Sequence, residues 1–271
     1  DAELIVFIGG HNKHPGQDTE SYDRSSSNAP FRQGELLSEL VKNKVPLILV
    51  TMGADLFDMP YIERIPAMLH TWYGGSESGT ALAQVLFGEV NPSGKLPVTF
   101  YRKASDCGAF VMGEYPGDGE DVHYDEDIFV GYRYVEKYGV KPQFSFGHGL
   151  SYTNFEYGKA SFSRNIIAQD DSIEVKVPIT NIGKRSGKEI VELYVRDEKS
   201  TVIRPEKELK GFDKIELAPG ETKEARFIIS VRDLSFYDER QGCWIAEPGK
   251  FEALIGSSSD NIKAKAVFEL Q

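Results

Sequence analysis

The sequence predicts an α/β layer with parallel strands, a partial α/β sandwich, followed by an all-β sandwich of the fibronectin-III-like type. Three observations carry that expectation. The first part alternates continuous apolar runs that end in glycine with helical patterns, at the short spacing of βα units. The last part holds several short period-two segments separated by turn signals. Between them runs a stretch rich in Gly, Pro, Tyr and acidic residues in which neither period persists. The expected domains are residues 1–157, with that stretch as a wrapping linker, and residues 158–271.

Leu4 to Ile8 is a continuous apolar run closed by Gly9-Gly10, the pattern of a strand buried on both faces. Gly34 to Lys44 places Leu36, Leu37, Leu40 and Val41 on one helical face. Val45 to Gly53 reads as a second buried strand and Ile65 to Gly75 as a third, both ending in glycine. Ser78 to Gly88 reads as a helix with a glycine stop. From Asn91 to Tyr157 the chain is irregular, yet too rich in Phe and Tyr for a disordered linker. It is expected to wrap over other structure. Within it Asn91, Pro92 and Gly94 read as a turn and Gly147 to Tyr152 as a domain hinge. The aromatics Trp72, Tyr73, Tyr132, Tyr134 and Phe144 read chiefly as packing groups.

In the second half "SIEVKVPIT" alternates Ile173, Val175, Val177 and Ile179, and "EIVELYVRD" sets Val191, Leu193 and Val195 on one face. "LKGFDKIEL", "EARFIIS" and "GKFEALIG" follow, with the turn "APGET" between the first two. The immunoglobulin Cys…Trp…Cys pattern is missing, which favours a fibronectin-III-like variant.

Composition narrows the function. The 271 residues carry 42 acidic and 31 basic side chains, a net charge of -11. Such a chain lacks the basic face that nucleic acid requires, while neutral ligands such as sugars are tolerated. No window approaches the ~18 consecutive apolar residues of a membrane span. Cys107 and Cys243 stand in no metal-binding pattern and are not expected to pair. No signal-peptide pattern opens the chain, but a sequence that begins inside a sheet reads as a fragment that a signal can have preceded. "GGSESG", Gly74 to Gly79, misses the nucleophile-elbow pattern because Ser78 occupies the second glycine position. Its expected role is a tight strand-to-helix turn. No Walker loop, dinucleotide fingerprint or His-Glu-x-x-His motif occurs, and Glu114 to Asp127 lacks calcium-loop spacing. His11 and His14 have no third ligand nearby, so neither metal nor cofactor is expected.

The segment Gly10 to Phe31 remains. It is long for a βα connection and sits at the carboxyl end of a parallel strand, where open α/β sheets bind ligands. It holds Glu20, Asp23 and Arg24. A carboxyl group shielded there by aromatics is raised in pKa, as a general acid near neutral pH requires. Arg24 is expected to pair with Asp23 and fix the loop. The residues alone leave catalysis and a solvated loop with a local ion pair both open.

Three long blocks add a resemblance. "WYGGSESGTALAQVLFGEVNPSGKLPVTF", Trp72 to Phe100, and "YDEDIFVGYRYVEKYGVKPQFSFGHGLSYTNFEY", Tyr124 to Tyr157, resemble signature stretches of glycoside hydrolase family 3. "RPEKELKGFDKIELAPGET", Arg204 to Thr222, resembles that family's fibronectin-III-like domain, so the likeness runs essentially the whole length. "GGHNKHPGQD", Gly9 to Asp18, is similar to the glucosidase-type members. The resemblance implies a TIM barrel followed by an α/β sandwich, and a retaining mechanism with an Asp nucleophile on the barrel. It implies a general acid/base Glu on a sandwich loop, in a Glu-Gly-x-Asp-Arg context. "ESYDR" matches that context with Ser21 in the glycine position, and so assigns the role to Glu20. Asp18 is a nearby alternative and Glu77 a weaker one.

No (β/α)₈ pattern is present, and eight such units need about 200 residues or more. The resemblance therefore implies the C-terminal part of a longer enzyme whose N-terminal barrel is its missing partner. That enzyme is expected to be an exo-acting β-glucosidase cleaving a β-linked oligosaccharide or aryl glucoside, with no cofactor or metal. The isolated chain is expected to be inactive or weakly active. A β-xylosidase of the same family is the alternative, and a non-catalytic glycan- or protein-binding module the rival from another class. A periplasmic or secreted setting is favoured over a cytoplasmic one.

Overall fold

A computed structural model of the chain describes residues 2–10, 31–54, 57–115, 117, 119–169 and 171–271. They form two compact units, Asp1–Glu89 with Phe100–Gly119, and Val90–Thr99 with Glu120–Gln271. The first holds β1 (Ile5–Gly10), α1 (Gln33–Leu40), β2 (Leu47–Met52), β3 (Ala67–His70), α2 (Ser78–Leu86) and the short α3 (Gly108–Val111). Its three strands lie in the order β1-β2-β3 and both pairs are parallel. Apolar runs of this kind pair in parallel because helices can cover them, and Leu37 of α1 is fully buried along with Leu49 and Val50 of β2.

β1 departs from its expected burial. Leu4, Val6 and Ile8 are 49, 45 and 52% exposed, while Ile5 and Phe7 between them are half-buried. The run is continuous in sequence, but only one face is packed, because none of the described residues covers the other. α2 likewise buries none of its residues fully, and Phe87 behind it is exposed.

The second unit is the β-rich one. Its elements are α4 (Tyr132–Tyr138), β4 (Phe155–Tyr157), β5 (Ser161–Phe162), β6 (Ile166–Ile167), β7 (Ser172–Asn181) and β8 (Gly187–Asp197). β9 (Glu208–Leu217), β10 (Thr222–Ser230), α5 (Val231–Leu234), β11 (Phe236–Asp238), β12 (Cys243–Ile245), β13 (Gly249–Gly256) and β14 (Ile262–Leu270) complete it. One sheet runs β10-β7-β4, with β5 also on β7. The other runs β6-β14-β13-β8-β9, and β11-β12 form a separate ribbon. The alternation read in β7 is realised: Ile173, Val175, Val177 and Ile179 are buried, and so are Val191, Leu193 and Val195 of β8. They share one core with Phe227 of β10, Phe251 of β13 and Phe268 of β14.

The opposite face of β8 is covered too. Tyr194 and Glu192 are buried, with the Tyr132 ring 5.7 Å from that of Tyr194. The covering material is the irregular stretch of the sequence. The peptide around Leu96 bonds to that around His148, with Leu96 N–H donating to His148 O and Gly147 N–H to Leu96 O. Ser259 N–H donates to Phe146 O, and Asn91 ties in through Ser151, Tyr152 and the Ser186 carbonyl. The segment read as a hinge, Gly147 to Tyr152, is thus clasped to the sandwich within one unit. Gly147 is required there: at φ +82, a Cβ would lie 2.5 Å from both Glu192 carboxylate oxygens and 2.7 Å from Ser258 Cα.

That clasp buries charge. Lys95 Nζ donates to Gly149 O at 3.0 Å and lies 3.7 Å from Glu189 Oε1, both side chains being almost fully enclosed. Tyr157 OH donates to Glu189 at 2.7 Å and Tyr194 OH to Glu192 at 2.6 Å. Burial pushes both glutamates above the usual carboxylate range, against the pull of Lys95 and the two phenols. Burial pushes His148 down, and Lys95 adds to that effect while Asp260 opposes it. Among the described residues no helix is long and apolar enough to cross a membrane.

Two expected outcomes follow from these contacts. Gly147→Ala destabilises the protein well beyond Gly139→Ala, because Gly139 has φ +65 with open space around it. Urea unfolding should give about 1–2 kcal/mol for the control, the left-handed backbone cost alone, and clearly more for Gly147. Lys95→Met removes the ion-pair partner of the buried Glu189 and a cation that favours the charged form of Glu192, and costs about 3–5 kcal/mol near pH 7.5. The loss shrinks toward pH 5.5. Without Lys95 the folded-state pKa values of Glu189, Glu192 and His148 all rise, so the folded variant binds relatively more protons as pH falls. An equal loss at both pH values would contradict this.

Candidate active site

The carboxyl edge of the parallel sheet is where such sheets place ligands. β1 ends there in Gly9 and Gly10, paired in register with Thr51 and Met52 of β2. A Cβ on Gly10 would fall 1.8 Å from the Met52 carbonyl oxygen, and one on Gly9 would fall 2.2 Å from Gln33 Oε1. The two glycines let the Gln33 carboxamide reach the strand end. Gly10 N–H donates to Gln33 Oε1 at 2.8 Å, and Gln33 Nε2 donates to Gly10 O at 3.0 Å. Gln33 opens α1, so one side chain joins the residue before the segment 11–30 to the helix after it.

The return of that segment is also constrained. Phe31 and Arg32 both hold positive φ, 56° and 61°, a conformation that costs a residue with a Cβ about 1–2 kcal/mol. Arg32 Nε and Nη2 bond to Glu35 Oε2 at 2.9 and 2.5 Å, one turn into the helix.

An aromatic wall stands at the end of β3. The buried Thr51 hydroxyl lies 2.9 Å from His70 Nδ1. The ladder continues past the strands, with Thr71 N–H donating to Thr51 O and Gly53 N–H to Trp72 O. Trp72 is held at φ 55°. The His70 ring meets the indole edge-on, with centroids 4.6 Å apart, and Phe100 lies 5.2 Å from His70 and 5.9 Å from Trp72. This edge joins the end of β1 to the start of α1 and, on the neighbouring strands, carries a packed cluster of rings.

Glu20 lies outside the described residues, as do Asp18, Asp23, Arg24, His11 and His14. Glu77 stands exposed at the N-cap of α2, where Oε2 accepts the Thr80 hydroxyl at 3.1 Å. Of the aromatics read as packing, Tyr134 is buried and Tyr132 and Phe144 pack on Phe146 and His148, whereas Tyr73 is exposed. Sequence reasoning missed Gln33 and the Thr51–His70 pair. The available signal was the Gly9-Gly10 doublet, which implies a close approach by another group. Among the described residues no group of three or more His, Cys, Asp or Glu is placed to hold a metal ion, and Cys107 and Cys243 are free thiols.

Comparison with known proteins places this architecture. Residues 1–152 match the Glycosyl hydrolase family 3 C-terminal domain and residues 189–259 the Fibronectin type III-like domain. Beta-glucosidase BoGH3A of Bacteroides ovatus is 47% identical over 99% of this chain and 36% of its own length. Thermostable beta-glucosidase B of Acetivibrio thermocellus is 42% identical over 96% of this chain and 34% of its own length. A crystal structure of beta-glucosidase from Kluyveromyces marxianus in complex with glucose aligns with a TM-score of 0.90 at 38% identity. It covers 98% of this chain and 31% of that one. The chain thus spans about a third of the length of these relatives. With more than half of its residues matched by the C-terminal domain and the remainder carrying the fibronectin-III-like module, this chain belongs to glycoside hydrolase family 3.

Proposed function

We propose that this chain is the C-terminal part of a retaining, exo-acting β-glucosidase and supplies its general acid/base, Glu20. The observation that carries the reading is the identity over nearly the whole chain to proteins named as β-glucosidases. The segment bearing Glu20 also emerges from the carboxyl edge of a parallel sheet, between two constrained ends. The names of those relatives favour a glucoside over a xyloside. The substrate is a β-linked gluco-oligosaccharide or an aryl glucoside.

Retaining hydrolysis needs two carboxyl groups about 5–5.5 Å apart. An Asp on the barrel, outside this chain, attacks the anomeric carbon. Glu20 gives its proton to the departing glycosidic oxygen, and its carboxylate then takes a proton from the water that releases the glucose. This region alone holds one half of that pair. Incubated with an activated aryl glucoside, the isolated chain should release phenol no faster than buffer; robust turnover would overturn the division of labour.

The acid/base assignment is tested in the barrel-containing enzyme by Glu20→Ala. General acid catalysis typically contributes about 10²–10⁴-fold. Cellobiose hydrolysis should fall in that range. Glycosylation by 2,4-dinitrophenyl glucoside, whose leaving group needs no proton, should change little, and azide should accelerate turnover by taking the place of activated water. If both substrates are cleaved at the parent rate, the role belongs to another residue, with Asp18 next to be tried.

A further inference from the structure

We propose that Tyr237 and Trp244 form a platform on the fibronectin-III-like module that binds a chain of β-linked glucosyl residues; the ligand class rests on the β-glucosidase reading. The two residues are direct cross-strand partners in the β11-β12 ribbon. The next pair along, Phe236 and Ile245, is half-buried, so the alternation of the ribbon turns Tyr237 and Trp244 outward together. Outward positions of an antiparallel pair ordinarily carry polar side chains. Here they carry two large rings, 50 and 52% exposed, with centroids 5.6 Å apart, and neither ring belongs to the sandwich core.

The surroundings of the rings point to the kind of ligand. The Arg232 guanidinium lies 3.7 Å over the Trp244 ring and makes no ion pair among the described residues. It is delivered by α5, which a capping box between Ser230 and Asp233 starts and the fully buried Leu234 seats. Tyr237 OH and Trp244 Nε1 likewise hydrogen-bond to no described residue. The turn that joins the two strands is held firmly. Asp238 accepts the N–H groups of Arg240 and Gln241 through Oδ1, the Gln241 carboxamide through Oδ2 and Gly242 N–H through its carbonyl. The rings are thus ordered before a ligand arrives, which lowers the cost of binding. An apolar protein surface laid here would desolvate a guanidinium and two donors without pairing them. A polyanion meets the wrong charge, since residues 232–247 carry Asp233, Asp238, Glu239 and Glu247 against Arg232 and Arg240. A β-glucosyl ring fits both conditions. It is uncharged, its faces present C–H bonds that stack on an aromatic ring, and its equatorial hydroxyls accept from donors at the rim.

The test titrates the 271-residue chain with cellotetraose by calorimetry and by intrinsic fluorescence, and runs it on native gels containing soluble mixed-linkage β-glucan. A shallow platform predicts a Kd of about 1 mM or tighter. Trp244→Ala and Tyr237→Ala, each checked for parent-like thermal unfolding, should weaken binding about tenfold or more, while Trp244→Tyr, which keeps a ring, retains most of it. The ligand-induced fluorescence change should vanish in Trp244→Ala although Trp72 remains. Phe212→Ala, at a 70% exposed ring on β9, should bind like the parent. No binding by the parent up to about 10 mM, or unchanged binding in folded Trp244→Ala and Tyr237→Ala, would overturn the proposal. So would equal retardation by xylan or a polyuronate, a dimer of this chain that Trp244→Ala dissolves, or loss of acrylamide access to Trp244 in the barrel-containing enzyme. That enzyme separates the two readings: Trp244→Ala should weaken its retention on β-glucan and leave its rate on an aryl glucoside unchanged. If it cleaves xylosides and not glucosides, the β-glucosidase reading falls, and the β-glucan titration still decides the platform.

Discussion

The organisation of the candidate site depends on a steric constraint at one peptide: β1 ends where its backbone lies against the Met52 carbonyl, too close for any side chain. Because Gly10 has no Cβ, β1 and β2 stay in register to their last residues. Because Gly9 has none, the Gln33 carboxamide reaches over it to the strand end. The helix that follows is seated by Leu37, so the point of departure and the point of return are set by the same packed layer. On the adjoining strands the Thr51–His70 contact and the left-handed Trp72 hold a cluster of rings at that edge. Strain at Phe31, Arg32 and Trp72 collects at this one end of the sheet, the usual location of backbone conformations that packing must enforce.

In the second unit the organising force is different. There the irregular stretch gains order by closing over β8, and it does so with glycines at the close approaches and with charge in the interior. Gly147 lies against the Glu192 carboxylate and Gly149 against the Gly94 carbonyl, where larger residues would hold the layers apart. Asn181, fully buried at the end of β7, donates to the carbonyls of Arg185 and Leu217 and accepts from Thr153 and Gly183. One saturated amide thereby joins the covering segment to both sheets of the sandwich. Buried groups of this kind contribute less to net stability than to specifying one arrangement, since each misfit leaves a desolvated polar atom.

How much of this was legible in the sequence follows from what periodicity encodes. The strands β7, β8 and β13 were plain, because the apolar residues facing the shared core alternate along them. β14 alternates less cleanly and the β11-β12 ribbon is too short to signal itself, so neither was read. Periodicity says how a strand is coloured and not what lies over it. Leu4, Val6 and Ile8 therefore read as buried and are exposed, while Glu192 and Tyr194 on the outer face of β8 are enclosed. Gln33 belongs to no motif, since its role arises from two hydrogen bonds to a residue 23 positions away. The proposed role of Glu20 rests on resemblance alone, because the surrounding residue types fit a solvated loop equally well.

Under the proposed reading, the acid/base and the nucleophile stand on different domains. When both groups share a rigid barrel, their spacing is set by that barrel alone. When one is carried on a loop of a second domain, the spacing the reaction demands must be transmitted through the root of that loop. A flexible root would spread the carboxyl over several ångströms, and the fraction of time spent in reach would multiply directly into the rate. At this sheet end a double hydrogen bond to one peptide joins β1 to α1, two glycines admit it, and two strained residues precede the helix. The rigidity is local, and the residues that provide it have no chemistry of their own, which is why a search for titratable groups passes over them.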